Sequence, residues 1–374
     1  MHRILAAFLA FALPAVALAD APKPPAVAAR SWLLVDAASG QPIASSNPDE
    51  RIEPASLTKL MTAYVTFSAL KTNALALSQT VRVSERAWRA GGSRMFIEPR
   101  KPVTVEELLH GMVVQSGNDA CIALAEAVAG SEEAFTETMN REARRLGMKN
   151  THFTNSSGLP EPAHYSTAND LALLAASLIR DHPEYYKLYS EREYRYNNIT
   201  QLNRNRLLWL DPNVDGMKTG YTENAGYCMI ASARRGPRRL LSVVLGSGSD
   251  RLRAQDSQRL LNFGFLSYDG VHLYGKGQQI GTLAVWKGSS AALKAGPAAD
   301  LFVTVPKGTA DKLKAELVSQ QPLLAPLAAG QRVGTLRVSY EDKPLVEYPV
   351  VALESIPVAG FFGRIWDSVR LWFR

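Results

Sequence analysis

Ser56 and Lys59, three residues apart in PASLTKLMTAYVTFSAL, are the pair in this chain best suited to covalent chemistry. Leu57, Leu60, Met61, Tyr64 and Val65 recur at the spacing of one helix face, which predicts a buried helix beginning near Ser56. Residues i and i+3 are neighbours on a helix surface, so the amine can reach the hydroxyl. A helix start also exposes free N–H groups and a positive dipole end, which favour an oxyanion. A serine hydroxyl is a poor nucleophile until a base takes its proton, and no histidine is near in sequence. Lysine can be that base if desolvation or a second cation lowers its pKa.

Two further strings belong with this pair. Ser116-Gly117-Asn118, in QSGND, lies between two helical patterns, and Lys218-Thr219-Gly220 lies in a strand-like segment. Ser45-Ser46-Asn47 has the same Ser-x-Asn spacing but precedes Ser56 and reads as a turn. One string opens a helix, one ends a helix and one sits on a strand, so all three can converge on a cleft.

The elements that must position them follow from pattern. SWLLVDAASGQPIASSN reads as strand, Gly turn, strand; TVEELLHGMVV, ACIALAEAVAG, EEAFTETMNREARRLG and ANDLALLAASLIRDHP read as helices, three of them closed by Gly or Pro. Strand signals return at VDGMKTGYTENAGYCMIASA and RRLLSVVLG, and DSQRLLNFGFLSY reads as a helix. Strands, helices, then strands describe an α/β sheet with an inserted helical subdomain. Arg234, Arg235, Arg238 and Arg239 flank Gly236-Pro237 and read as a solvated hairpin turn.

At 374 residues the chain has room for two folded units, and 46% hydrophobic with 21% charged residues is ordinary for a globular protein. Residues 1–19 carry Arg3, an apolar run and small residues at Ala17 and Ala19, the pattern of a signal peptide cleaved after Ala19. Residues 20–30 read as a Pro/Ala linker, 31–266 as the catalytic domain, 267–352 as a small β-rich domain and 353–374 as an amphipathic helix. In that last segment Phe361, Phe362, Ile365, Trp366, Val369, Trp372 and Phe373 form an apolar stripe with arginines between them. It is too short to span a bilayer and suits an in-plane membrane helix. Two cysteines, Cys121 and Cys228, exclude a disulfide framework; with six scattered histidines they suggest neither metal nor cofactor. Cys121, three residues past Asn118, reads as a buried, inert thiol. A net charge of +7 on an exported chain points to anionic lipid and wall polymers, with no nucleic acid.

The ordered set Ser-x-x-Lys, Ser-x-Asn, Lys-Thr-Gly is shared by penicillin-binding proteins and class A β-lactamases. With GSRMFIEP, LLHGMVVQSGNDACIALAE, LGMKNTHFTNSSGL, QLNRNRLLW and FFGRIWDSVRLWF, the chain closely resembles the low-molecular-mass penicillin-binding proteins that are D-alanyl-D-alanine carboxypeptidases. The resemblance implies a serine transpeptidase/β-lactamase-like domain, a small all-β domain and a terminal membrane helix. It also implies a location on the periplasmic face of the inner membrane. Carried over, it makes Ser56 the acylated nucleophile, Lys59 its base and Ser116 a proton relay. Asn118 would hold the substrate amide, Lys218 would supply positive potential, and Thr219 and Arg253 would bind the terminal carboxylate. Gly220 completes the Lys-Thr-Gly string, and the N–H groups of Ser56 and Tyr221 would form the oxyanion hole. Some relatives carry histidine where this chain has Tyr221, and relatives differ at Ser157. The implied partners are pentapeptide stems of peptidoglycan and β-lactams. A class A β-lactamase would need a deacylating glutamate; Glu184, Glu191 and Glu193 lie in a plausible region without the expected context. A D,D-endopeptidase and a non-catalytic wall-binding protein remain alternatives.

Overall fold

The computed structural model describes residues 22–372; the expected signal peptide and the first linker residues lie outside the described residues. The chain forms two compact units, Lys23–Leu266 and residues 267–372.

The first unit is built on a five-stranded antiparallel sheet, in the order Pro42–Ser46, Ser31–Asp36, Arg238–Ser247, Gly226–Arg235, Val214–Thr222. Strand side chains alternate between faces. Leu33 and Val35 therefore join one core with the helices Lys59–Lys71, Val105–Val114 and Asn118–Ala129, while Trp32 and Leu34 join another with Leu260 and Leu261 of helix Asp250–Ser267. With both faces covered, these strands read as continuous apolar runs such as LLSVVLG. Val214–Thr222 is left at one edge, with Lys218-Thr219-Gly220 near its end.

Helix boundaries follow local chemistry. Thr104 and Glu107 form a capping box, Ser131 and Thr167 cap their helices, and Gly130 and Gly147 end theirs in left-handed conformations. Helix Asp250–Ser267 starts six residues earlier than the apolar pattern suggests, which places Arg253 on its first turn. The arginine-rich hairpin corrects the expectation of a solvated turn: Arg238 lies 2.8 Å from Asp36, and Arg239 grips both oxygens of Asp215 at 2.6 Å. Their side chains are only 14% and 16% exposed, because the turn folds back over carboxylates from distant strands.

The second unit has its own core, including Leu293, Val303, Leu336, Val338 and Val350. Its six-stranded sheet runs Leu313–Val318, Arg332–Tyr340, Lys343–Ala352, Ala292–Pro297, Gly281–Trp286, Leu323–Leu324, beside a pair formed by Tyr268–Tyr274 and Leu301–Pro306. A helix follows at Phe361–Trp372. Among the described residues, no helix is long and apolar enough to cross a membrane.

One buried carboxylate fixes the loop over the middle of the first unit. Asp119 accepts the backbone N–H groups of Met95, Phe96 and Ile97 at 2.9, 2.8 and 3.2 Å. Substitution Asp119→Ala strands these donors, so urea denaturation of the variant should show a loss of about 3 kcal/mol. An unchanged midpoint would mean that the tether contributes nothing to stability.

Candidate active site

The nucleophile stretch differs from the sequence expectation in one respect. Ser56 lies on a short 3-10 turn, Ala55–Thr58, and the α-helix proper begins at Lys59. Ala55 is in a left-handed conformation, with φ 48°, and Gly158 presses against it. A Cβ at Gly158 would lie 1.8 Å from the Ala55 carbonyl oxygen, so only glycine permits this approach. Gly220 makes a looser approach from the sheet, where a Cβ would come within 3.2 Å of the Ser56 nitrogen and crowd it without barring it. The edge strand is thereby held against the turn that carries the serine.

Lys59 is almost wholly buried. Its Nζ donates to Ser56 Oγ at 3.0 Å, Asn118 Oδ1 at 2.8 Å and the Ser157 carbonyl at 2.5 Å. Opposite it, Lys218 Nζ donates to Ser116 Oγ at 2.9 Å and to the Thr219 carbonyl at 3.1 Å. The three strings therefore do meet: a lysine faces each of two serines, with Asn118 beside them.

Ser116 follows helix Val105–Val114, and Asn118 begins the next helix. The serine has φ 71°, a left-handed backbone that an L-residue rarely adopts and that commonly marks a functional site. Asn118 is fixed by donating its Nδ2–H to Gly91 O at 2.7 Å and its backbone N–H to Ser93 O at 2.7 Å.

Burial is the first cause of both lysine shifts. It pulls Lys59 below its ordinary value; the charge of Arg204 acts in the same direction, while Cys121 and Asp119 oppose it. Lys218 is pushed well down, by burial and then by the charge of Lys59. Lys218 was the expected second cation; the cation that acts on Lys59 beside burial is Arg204. Both amines are thus held below the ordinary lysine range, by burial first and then by neighbouring positive charge.

Other residues fall around this centre. Arg253 is 6% exposed and donates to the carbonyls of Gly220 at 2.8 Å and Cys228 at 3.2 Å, with Asp250 at 2.5 Å. It braces the Lys-Thr-Gly strand from behind. Tyr221 is 53% exposed and rests on Tyr227, ring centres 4.4 Å apart. The Cys121 thiol is buried, donates to Gly117 O at 3.1 Å and is pushed up to about 12 by desolvation. Glu191 is paired with His110 at 2.7 Å, and Glu193 begins a separate hairpin. Among the described residues, Lys59 hydrogen-bonds to the serine, the asparagine and a carbonyl, with no carboxylate among its partners. His164, beneath Thr58 at 2.7 Å, accepts the Thr154 N–H on Nδ1 and is lowered to about 4 by burial, so it stays neutral. Arg204, Asp119 and Gly158 were not assigned roles from sequence, although all three sit inside strings already noted.

A buried amine at hydrogen-bond distance from a hydroxyl, with cations nearby and a sheet edge alongside, can generate a serine alkoxide and bind an extended acyl donor. A separate groove of about 580 Å³, lined by Leu202, Trp209, Leu210, Arg206 and Arg251, includes none of the three strings.

The family model described as D-alanyl-D-alanine carboxypeptidase matches residues 18–249, and that described as penicillin-binding protein 5, C-terminal domain, matches residues 268–358. The chain is 44% identical to D-alanyl-D-alanine carboxypeptidase DacC of Escherichia coli (strain K12), over 97% of this chain and 93% of that protein. It is 37% identical to the corresponding DacF of Bacillus subtilis (strain 168), over 92% and 90%. Penicillin-binding protein 5 from Haemophilus influenzae superposes with a TM-score of 0.86 at 39% identity, covering 90% of this chain and 99% of that one. Penicillin-binding protein D2 from Listeria monocytogenes in its ampicillin-bound form gives 0.60 at 31% identity, covering 65% and 100%.

Because the Arg204 charge helps to hold the Lys59 proton off, Arg204→Gln should raise the lysine pKa. If Ser56 is acylated with Lys59 as its base, the acid limb of the pH–rate profile should move to higher pH in the variant. Stopped-flow acylation across pH reads this directly, and a profile that stays in place would remove Arg204 from the electrostatics of the site.

Proposed function

The chain belongs to the D-alanyl-D-alanine carboxypeptidase family, and we propose that it removes the terminal D-Ala from peptidoglycan pentapeptide stems through a Ser56 acyl-enzyme. The observation that carries this reading is the 3.0 Å separation between the buried Lys59 Nζ and Ser56 Oγ, within reach for proton transfer once the amine is neutral. Neutral Lys59 takes the hydroxyl proton, and the alkoxide attacks the carbonyl of the penultimate D-Ala. The N–H groups of Ser56 and Tyr221 stabilise the tetrahedral oxyanion. As the C–N bond breaks, the proton that Lys59 took from Ser56 passes by way of Ser116, which Lys218 holds at 2.9 Å, to the leaving amine, so that D-Ala departs and Lys59 is neutral again. Water then cleaves the ester, with Lys59 again receiving a proton, and a tetrapeptide stem leaves.

Asn118 fixes Lys59 and offers its amide to the substrate backbone. Thr219 receives the terminal carboxylate within the positive field of Lys218, Arg204 and Arg253. Arg253 contributes charge and strand position more than direct contact, since its donors already serve Gly220, Cys228 and Asp250. β-Lactams acylate the same serine, because their strained amide enters where the D-Ala-D-Ala bond would lie. The enzyme acts after export, on the outer face of the cytoplasmic membrane, and attaches peripherally through helix Phe361–Trp372.

Mass spectrometry of a D-Ala-D-Ala-terminated stem incubated with the enzyme should show loss of one D-Ala. Ser56→Ala should abolish both that loss and covalent penicillin labelling. Lys59→Ala should slow acylation about a thousandfold, the usual cost of removing a positioned general base. Penicillin labelling that survived Ser56→Ala would sink the assignment; cleavage confined to cross-linked dimers would move it to an endopeptidase.

A further inference from the structure

Neutral Lys59 can act as a base only along its lone pair, and its surroundings leave that lone pair one direction. An ammonium has three donors and no acceptor; the free amine keeps two donors and one lone pair. Three groups lie within hydrogen-bond distance of Lys59 Nζ: the Ser157 carbonyl at 2.5 Å, Asn118 Oδ1 at 2.8 Å and Ser56 Oγ at 3.0 Å. A carbonyl oxygen can only accept. The Asn118 amide is oriented by its other end, because Nδ2–H is spent on Gly91 O at 2.7 Å, which leaves Oδ1 to face the amine. Two pure acceptors therefore take both N–H groups of the free amine. The lone pair is left facing Ser56 Oγ, the one partner of the three with a proton to give.

Of the two guides, Asn118 belongs to the strings already described, whereas the Ser157 carbonyl depends on a residue outside them. Asn155 Oδ1 accepts the Gly158 N–H at 2.7 Å and the N–H groups of Ser157 and Leu159 at 3.2 Å, and its Nδ2 donates to Leu159 O at 3.0 Å. One amide thus gathers the backbone of residues 157–159 into a turn. That turn meets both ends of the proton transfer: Ser157 O reaches Lys59, and Gly158 lies against Ala55, the residue before Ser56. The segment leading into the turn has its own anchors. Glu132 Oε1 accepts the N–H and the hydroxyl of Ser156 at 2.9 and 2.6 Å, and Thr62 Oγ1 donates to Ser156 O at 2.6 Å. Removing the Asn155 amide would release the turn while its entry stays in place.

We propose that Asn155 is a positioning residue for acylation: it holds the 157–159 turn so that the Ser157 carbonyl, together with Asn118 Oδ1, aims the lone pair of Lys59 at the Ser56 hydroxyl. This rests on the Ser56 acyl-enzyme proposed above. Asn155 acts through the turn and Lys59, so its loss slows proton transfer and leaves binding alone.

Stopped-flow acylation of the mature full chain by a fluorescent penicillin separates the limiting rate from the half-saturating concentration, and the final amplitude counts competent sites. It is run on the alkaline plateau, where Lys59 is neutral. Asn155→Ala should lower the limiting rate roughly tenfold to a hundredfold, the cost of misplacing a reacting group by about 1 Å. The half-saturating concentration should stay at the parent value. Asn155→Asp keeps an oxygen for the three amides and should recover most of the rate. A merely structural role would reduce the amplitude and leave the rate of the remaining sites unchanged. A parent-like limiting rate in Asn155→Ala, whatever its amplitude, overturns the inference, as does an Asn155→Asp variant as slow as Asn155→Ala. If Asn155→Ala does not fold, Asn155→Ser takes its place with the same expectation and the same overturning result, since its shorter hydroxyl cannot span three amides. A parent that is not labelled at Ser56 overturns the acyl-enzyme reading itself, a result distinct from a labelled parent with an equally fast variant.

Discussion

Two amines, Lys59 and Lys218, are buried in one cleft, each bound to a serine. Burying a single ammonium is costly, and burying two within reach of each other is worse, so their shared environment drives both pKa values down. That constraint explains why no histidine or carboxylate is required beside Ser56. It also requires a rigid scaffold, because a cleft that admitted water would let both amines recover their protons and lose the base.

The scaffold meets this demand with close approaches and backbone tethers. Gly158 brings its segment against the turn that carries Ser56 at a distance that a Cβ would forbid, and Gly220 brings the edge strand there at a distance that would make a Cβ tight. Lys59 is further fixed by the Ser157 carbonyl, and Asn118 by Gly91 and Ser93. Arg253 serves the strand from the far side by holding two of its sheet carbonyls. The positions of reacting atoms thus depend more on main-chain geometry than on side-chain packing at the mouth.

Much of this was legible in the sequence. The strings that hold Ser56, Lys59, Ser116, Asn118, Lys218 and Thr219 stood out by residue type and order, and the structure brings them together, while the roles proposed for them came from the family resemblance. The major helices and sheet strands followed from periodicity and caps. What was not legible depends on contacts between distant segments. Arg204 affects both lysines through space, Gly158 matters for what it lacks, and Asp119 binds a loop more than twenty residues away. The arginine hairpin shows the same limit: Asp36 and Asp215 come to it from strands that no local window contains. The 3-10 turn before Lys59 was read as α-helix because the apolar spacing runs through it without a break.

The Asp119 tether also bears on how such a cleft could diversify. It grips main-chain amides of Met95, Phe96 and Ile97, so the loop beside Asn118 keeps its course without regard to which side chain Phe96 presents. Phe96 is exposed. Evolution or a protein engineer can therefore repaint that wall, exchanging an aromatic surface for a charged or small one, while the frame that carries the reacting groups stays where it is.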